Sequence, residues 1–142
     1  MDIRIENKKA FYASGYSLET SEASLEKDRA MLRVKYEDML RPVSNHLYFL
    51  SWQSDEGNMV YHFSVETPSL TPATEGATCV EVPATRFAVA TVPADMPVLA
   101  AWHEFFENGI ASINATIDMG ARFYCESYDE NEVCELWIPI KA

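Results

Sequence analysis

The stretch ARFYCESYDENEVCELWIPIKA, residues 121–142, decides the fold. Two runs rich in aromatic and β-branched residues, 121–129 and 133–142, flank an acidic turn at Glu130 to Glu132. That is the pattern of a β-hairpin. Upstream of it, Asp95 can cap a helix whose first turn holds Pro97. Leu99, Trp102, Phe106, Ile110 and Ile113 form its apolar stripe, with Phe105 beside it. Gly109 interrupts the stripe at a cost of about 1 kcal/mol relative to alanine. Before the helix, CVEVPATRFAVATVP (79–93) is extended. The order is strand, helix, hairpin.

The first half repeats this order. Residues 3–16 (IRIENKKAFYASGY) read as an extended segment broken at Gly15. Leu25, Leu32, Tyr36, Met39 and Val43 then share one helical stripe, capped by Ser21 or Ser24 and ended by Pro42. LYFLSW (47–52) and MVYHFSVE (59–66) flank a Gly/Asn/Asp turn and read as a second hairpin. The two halves register numerically: Phe11 with Phe87 and Tyr48 with Tyr124 at an offset of 76, and Phe63 with Trp137 at 74. Residues 67–78, opening TPSLTPATEG, read as the linker between half-repeats of about 1–66 and 79–142. Each half is short for a stable core, so 142 residues predict one domain. The expected fold is α+β: duplicated β-α-β-β units forming one antiparallel sheet of eight strands. Helices near 21–41 and 96–113 lie on one face, with a central groove between them.

Charge narrows the function. Eleven Lys and Arg face 22 Asp and Glu, a net charge of −11. Residues 1–41 balance eight bases with eight acids, so the whole excess lies in 42–142. Such a surface repels phosphate backbones and attracts cations and basic partners; no direct nucleic-acid binding is expected. No apolar run reaches the roughly 20 residues that span a membrane, and MDIRIENKKA is not a signal peptide. Cys79, Cys125 and Cys134 are odd in number and widely spaced. A reducing, cytoplasmic setting is the expectation.

Strand alternation selects the groove's floor. Tyr124, Glu126 and Tyr128 share one face, and the offset matches them to Tyr48, Leu50 and Trp52. Tyr61 and Phe63 match Glu135 and Trp137, while the helices offer Tyr36, Trp102 and Phe105 or Phe106 from above. The predicted binding set is Glu126, Trp137, Trp102, Tyr61, Phe63, Phe105, Tyr36, Tyr48 and Tyr128. A carboxylate in an aromatic box suits a lipophilic cation or a flat aromatic amine, because ring faces attract cations and a bound cation restores the buried charge. His46, His62 and His103 are dispersed without metal-ligand spacing, and neither a phosphate loop nor a nucleophile elbow is present. No metal, no cofactor and no catalytic residue is expected. Cys125 reads as core, and Asp129, Glu130, Glu132 and Glu135 as a solvated hairpin tip.

AAWHEFF (100–106), ARFYCESYDE (121–130) and CELWIPIKA (134–142), in that order, resemble the GyrI-like small-molecule-binding domain. PATRFAVATV (83–92) resembles that family's strand before the second helix. This is the effector-binding domain of AraC- and MerR-type multidrug-responsive regulators, found alone in DNA gyrase inhibitory proteins. The resemblance is good across 79–142; in the first half only the element order carries it. It implies a duplicated βαββ fold and a central pocket whose buried glutamate, here Glu126, receives cationic drugs. Trp137 would replace the usual tyrosine as a stacking wall. With no helix-turn-helix before the first strand, a stand-alone module is expected, whose partner is a cationic or amphiphilic aromatic compound. The resemblance also leaves open a gyrase-inhibitor-like role with a protein partner, a homodimer, and hydrolysis of small reactive compounds by the same glutamate.

Overall fold

The computed structural model describes residues 1–142. The elements run β1 (Asp2–Lys8), β2 (Phe11–Thr20), α1 (Leu25–Leu40), β3 (Leu47–Gln53), β4 (Met59–Thr67), β5 (Thr78–Val82) and β6 (Thr85–Thr91). There follow α2 (Val98–Glu104), a π-helical turn (Phe105–Gly109), α3 (Ile110–Ser112), β7 (Tyr124–Tyr128) and β8 (Cys134–Pro139). All eight strands form one antiparallel sheet in the order β1-β6-β8-β7-β3-β4-β2-β5. The β-α-β-β units therefore meet at β3 and β7, and both helical segments pack on the same core. The expected α+β architecture is the one observed. No helix is long and apolar enough to cross a membrane.

The outer strands differ from the expected pattern. The first extended segment breaks after Lys8 rather than at Gly15, and the second breaks at Pro83 and Ala84. Each lead-in strand then crosses to the other unit: β1 pairs with β6, and β5 pairs with β2. Gly15 lies inside β2 because β4 passes close by. A Cβ there would meet the Phe63 carbonyl oxygen at 2.0 Å.

Both helical segments set most of their apolar stripes against the core, with Leu25, Leu32 and Tyr36 from the first and Trp102, Ile110 and Ile113 from the second, but each departs from its stripe in part. On α1, Leu32 and Leu40 are buried, but Met39, and Val43 just past the helix end, are each 42% exposed. The inward face also holds arginines. Arg33 and Arg41 both bond Glu132 at the tip of the β7–β8 hairpin, and Arg29 reaches Glu126. The bases of the neutral N-terminal third thus meet acids of the negatively charged remainder. In the second helix the π turn separates Phe105 and Ile110 by five residues on one buried face, which turns Phe106 outward. Gly109 makes this possible, since a Cβ there would meet Ile3 at 2.8 Å and Phe105 at 2.9 Å.

The sheet is buried on both faces. The helix-covered face holds Leu47, Phe49, Tyr61, Phe63, Val65, Tyr128, Leu136 and Ile138. The other face holds a second cluster with Tyr48, Leu50, Phe87, Val89, Phe123, Cys125 and Trp137. Phe11 folds over that cluster, 5.4 Å from Tyr48 and 6.2 Å from Trp137 between ring centroids. Lys8 caps Trp137 at 4.5 Å. This corrects the matching of the halves. β3 and β7 pair Phe49 with Glu126 and Leu50 with Cys125, so Phe49, not Leu50, shares the face of Glu126. In the same way β7 and β8 pair Glu126 with Leu136 and Cys125 with Trp137. A slip of one residue exchanges the faces of a strand, and it removes Tyr48 and Trp137 from the predicted box.

Candidate functional site

Glu126 stands in mid-strand on β7, facing the helices, with 1% of its surface exposed. A carboxylate buried this deeply needs donors, and three reach it. Tyr128, two residues along the same face, donates its hydroxyl to Oε2 at 2.6 Å. Trp102 of α2 donates its indole Nε1–H to Oε1 at 2.9 Å. Arg29 of α1 donates from Nη2 to Oε2. The guanidinium carbon lies 4.9 Å from the Phe49 ring centroid and 5.9 Å from that of Tyr61.

The titration behaviour follows from this burial. Desolvation is the largest single effect and works against the Arg29 charge, but Glu126, Tyr128 and Tyr61 together outweigh it and the guanidinium pKa is raised. Burial first, and the Glu126 charge second, push the Tyr128 phenol upward, so it remains a donor. Tyr61 is raised by burial, against the opposing effect of Arg29.

Beside this cluster lies a groove of about 700 Å³. Glu22 and Leu25 at the start of α1 form one wall, and Leu99, Trp102, His103 and Phe106 form the other. Ser51, Gln53, Met59, Tyr61 and Tyr124 floor it, and Met119, Ala121 and Arg122 close one end. Trp102 and Phe106 stack at 5.8 Å with 24° between their planes, and Phe106 meets Tyr124 at 5.8 Å. The Arg122 guanidinium lies over Trp52 and Phe123, at 5.5 and 5.6 Å.

Among the predicted residues, Trp102 and Tyr61 line the groove. Glu126 and Tyr128 form the hydrogen-bonded cluster behind them. Phe63 and Phe105 are fully buried in the core. Tyr36 stacks on Tyr16 at 3.9 Å, and Tyr48 and Trp137 belong to the opposite face. Tyr124, Phe106, Leu99, Met59 and Met119 line the groove without having been in the predicted set. Arg29 is the important omission. Its signal was available: it falls four residues after Leu25 and three before Leu32, a charged residue on an otherwise apolar helical stripe.

The family described as Cass2, integron-associated effector binding protein, matches residues 4–140. No curated protein matches the sequence. Among solved structures, the chain resembles SAV2435 bound to tetraphenylphosphonium at a TM-score of 0.77 and 15% identity, over 100% of this chain and 95% of that one. It resembles an integron cassette protein from the mobile metagenome of Vibrio cholerae at 0.72 and 16%, over 98% and 95%. The EcmrR C-terminal domain follows at 0.63 and 11%, over 99% and 97%. At these identities the three likenesses bear on the fold.

Proposed function

Because the chain belongs to the Cass2 family of integron-associated effector binding proteins, we propose that residues 1–142 act as one effector-binding domain whose groove between α1 and α2 takes a small lipophilic aromatic cation. The observation that carries this reading is the wall of rings around the groove. Tyr61, Trp102, Phe106 and Tyr124 line a space of about 700 Å³ together with Leu25, Leu99, Met59 and Met119. Sites for drug-sized ligands have this size and this mix of apolar walls with few polar groups. Ring faces favour a cation, and Glu22 adds a negative charge at the rim. The relative solved with tetraphenylphosphonium supports a lipophilic cation as the ligand class.

The hydrolytic alternative draws less support. A general base needs a lone pair open to a water near the substrate. Glu126 instead accepts from Arg29, Trp102 and Tyr128 and is 1% exposed.

Fluorescence titration with tetraphenylphosphonium tests the reading, since Trp102 lies in the groove while Trp52 and Trp137 lie against the opposite face. Wild type is expected to bind in the micromolar range, about −8 kcal/mol. Trp102→Ala removes stacking area and is expected to weaken both this cation and the neutral probe triphenylmethanol by about tenfold or more. Trp137→Phe is expected to leave both within about twofold. A loss for Trp137→Phe equal to that for Trp102→Ala would move the site to the other face. Absence of binding by wild type would favour a protein-interaction role of the gyrase-inhibitor kind.

A further inference from the structure

A cation already rests against Glu126. Arg29 donates to its carboxylate and lies over the rings of Phe49 and Tyr61, the surroundings that an organic cation would seek. Tyr61 borders this seat and also floors the groove, and Leu25, one turn before Arg29, lines the groove wall. The two spaces adjoin. From these contacts we propose that Arg29 is a tethered place-holder: its guanidinium occupies the Glu126 end of the site in the free protein and leaves it when a lipophilic cation binds. Arg29 then determines how strongly the site discriminates between charged and neutral ligands. The inference rests on the groove being the ligand site.

Three features fit a place-holder better than a permanent strut. The Arg29 side chain is 12% exposed, so its long stem has a route to water, whereas Glu126 is fixed in mid-strand at 1%. The Arg29 Nε is buried without a hydrogen-bond partner, so the seat does not satisfy the guanidinium fully. Arg33 and Arg41 hold α1 to Glu132 independently, so α1 keeps these anchors when Arg29 leaves. A carboxylate left without a counter-charge in the interior is costly. Only a ligand with its own positive charge can replace Arg29. A neutral aromatic compound would fill the groove and leave Arg29 seated.

The test compares tetraphenylphosphonium with triphenylmethanol on wild type, Arg29→Met and the double variant Arg29→Met/Glu126→Gln, by calorimetry. Arg29→Met is expected to tighten the cation at least tenfold and to leave the neutral probe within about twofold. In the double variant the gain for the cation is expected to vanish. Unchanged or weaker cation binding by Arg29→Met, with the neutral probe still bound, overturns the place-holder and leaves the groove reading intact. Failure of both probes to bind any variant overturns both. Should Arg29→Met not fold, ¹⁵N-arginine spectra of wild type decide. Saturation with tetraphenylphosphonium is expected to abolish the protected Arg29 guanidinium signals, and their persistence overturns the proposal.

Discussion

Arg29→Met is expected to lower folding stability by about 3–5 kcal/mol in the absence of ligand, the usual cost of removing one partner of a buried ion pair. The cost arises at Glu126, which is 1% exposed and cannot follow its lost partner to water. Tyr128 and Trp102 still donate to it, but neither carries a positive charge. The reverse substitution is milder. Glu126→Gln keeps a side chain of the same shape, and Arg29 can rotate outward; the expected loss is about 1–2 kcal/mol. The double variant is expected to be more stable than Arg29→Met alone, because no unpaired charge then remains buried. Urea denaturation of the four proteins measures the coupling. Additive losses would mean that the pair does not act as a buried unit.

The second large effect concerns acid. His62 is fully buried on β4; its Nε2 lies 3.1 Å from the Thr78 carbonyl oxygen and its Nδ1 has no partner. Burial lowers its pKa from 6.5 to about 4, against a smaller opposing effect of the Thr78 hydrogen bond. The folded protein therefore holds His62 neutral in a range where the unfolded chain binds a proton. The contribution is fully present above about pH 6.5, falls as the pH drops, and is exhausted near pH 4. Over that window it is on the order of 3 kcal/mol. Many carboxylates titrate at the lower end, so the comparison is with His62→Gln. Between pH 7.5 and 4.5 wild type is expected to lose about 2–3 kcal/mol more than this variant by urea denaturation. Equal losses would mean that the ring is solvated or protonated in the folded protein.

The elements were legible because their signals are local. Hairpin turns, the Pro42 stop and the repeated order of strand, helix and hairpin depend on neighbours in the chain, and the sheet and helices follow from them. Glu126 was legible too: a carboxylate between Tyr124 and Tyr128 on a strand face turned to the helices stands out. Register was not legible. Whether Phe49 or Leu50 lies opposite Glu126 depends on pairing between strands about 75 residues apart, and one step exchanges the faces. Apparent offsets of 76 between Tyr48 and Tyr124 and of 74 between Phe63 and Trp137 placed Tyr48 and Trp137 on the wrong side. The π turn hid the true inward face of the second helix, since a pattern with 3.6-residue period cannot show an extra residue in one turn. Arg29 was overlooked for a different reason. A cationic ligand was expected to neutralise Glu126, and the chain's own base does so. The charge imbalance between the first 41 residues and the rest reflects in part this internal pairing, of Arg29 with Glu126 and of Arg33 and Arg41 with Glu132.

The groove itself is tested most directly by a crystal structure of the wild-type protein grown with tetraphenylphosphonium. Its phenyl rings are expected between Trp102 and Phe106 on one side and Tyr61 and Tyr124 on the other, the side chains that border the space between α1 and α2. Ligand density against Trp137, Phe11 and Tyr48 on the opposite face, with the groove empty, would contradict the assignment.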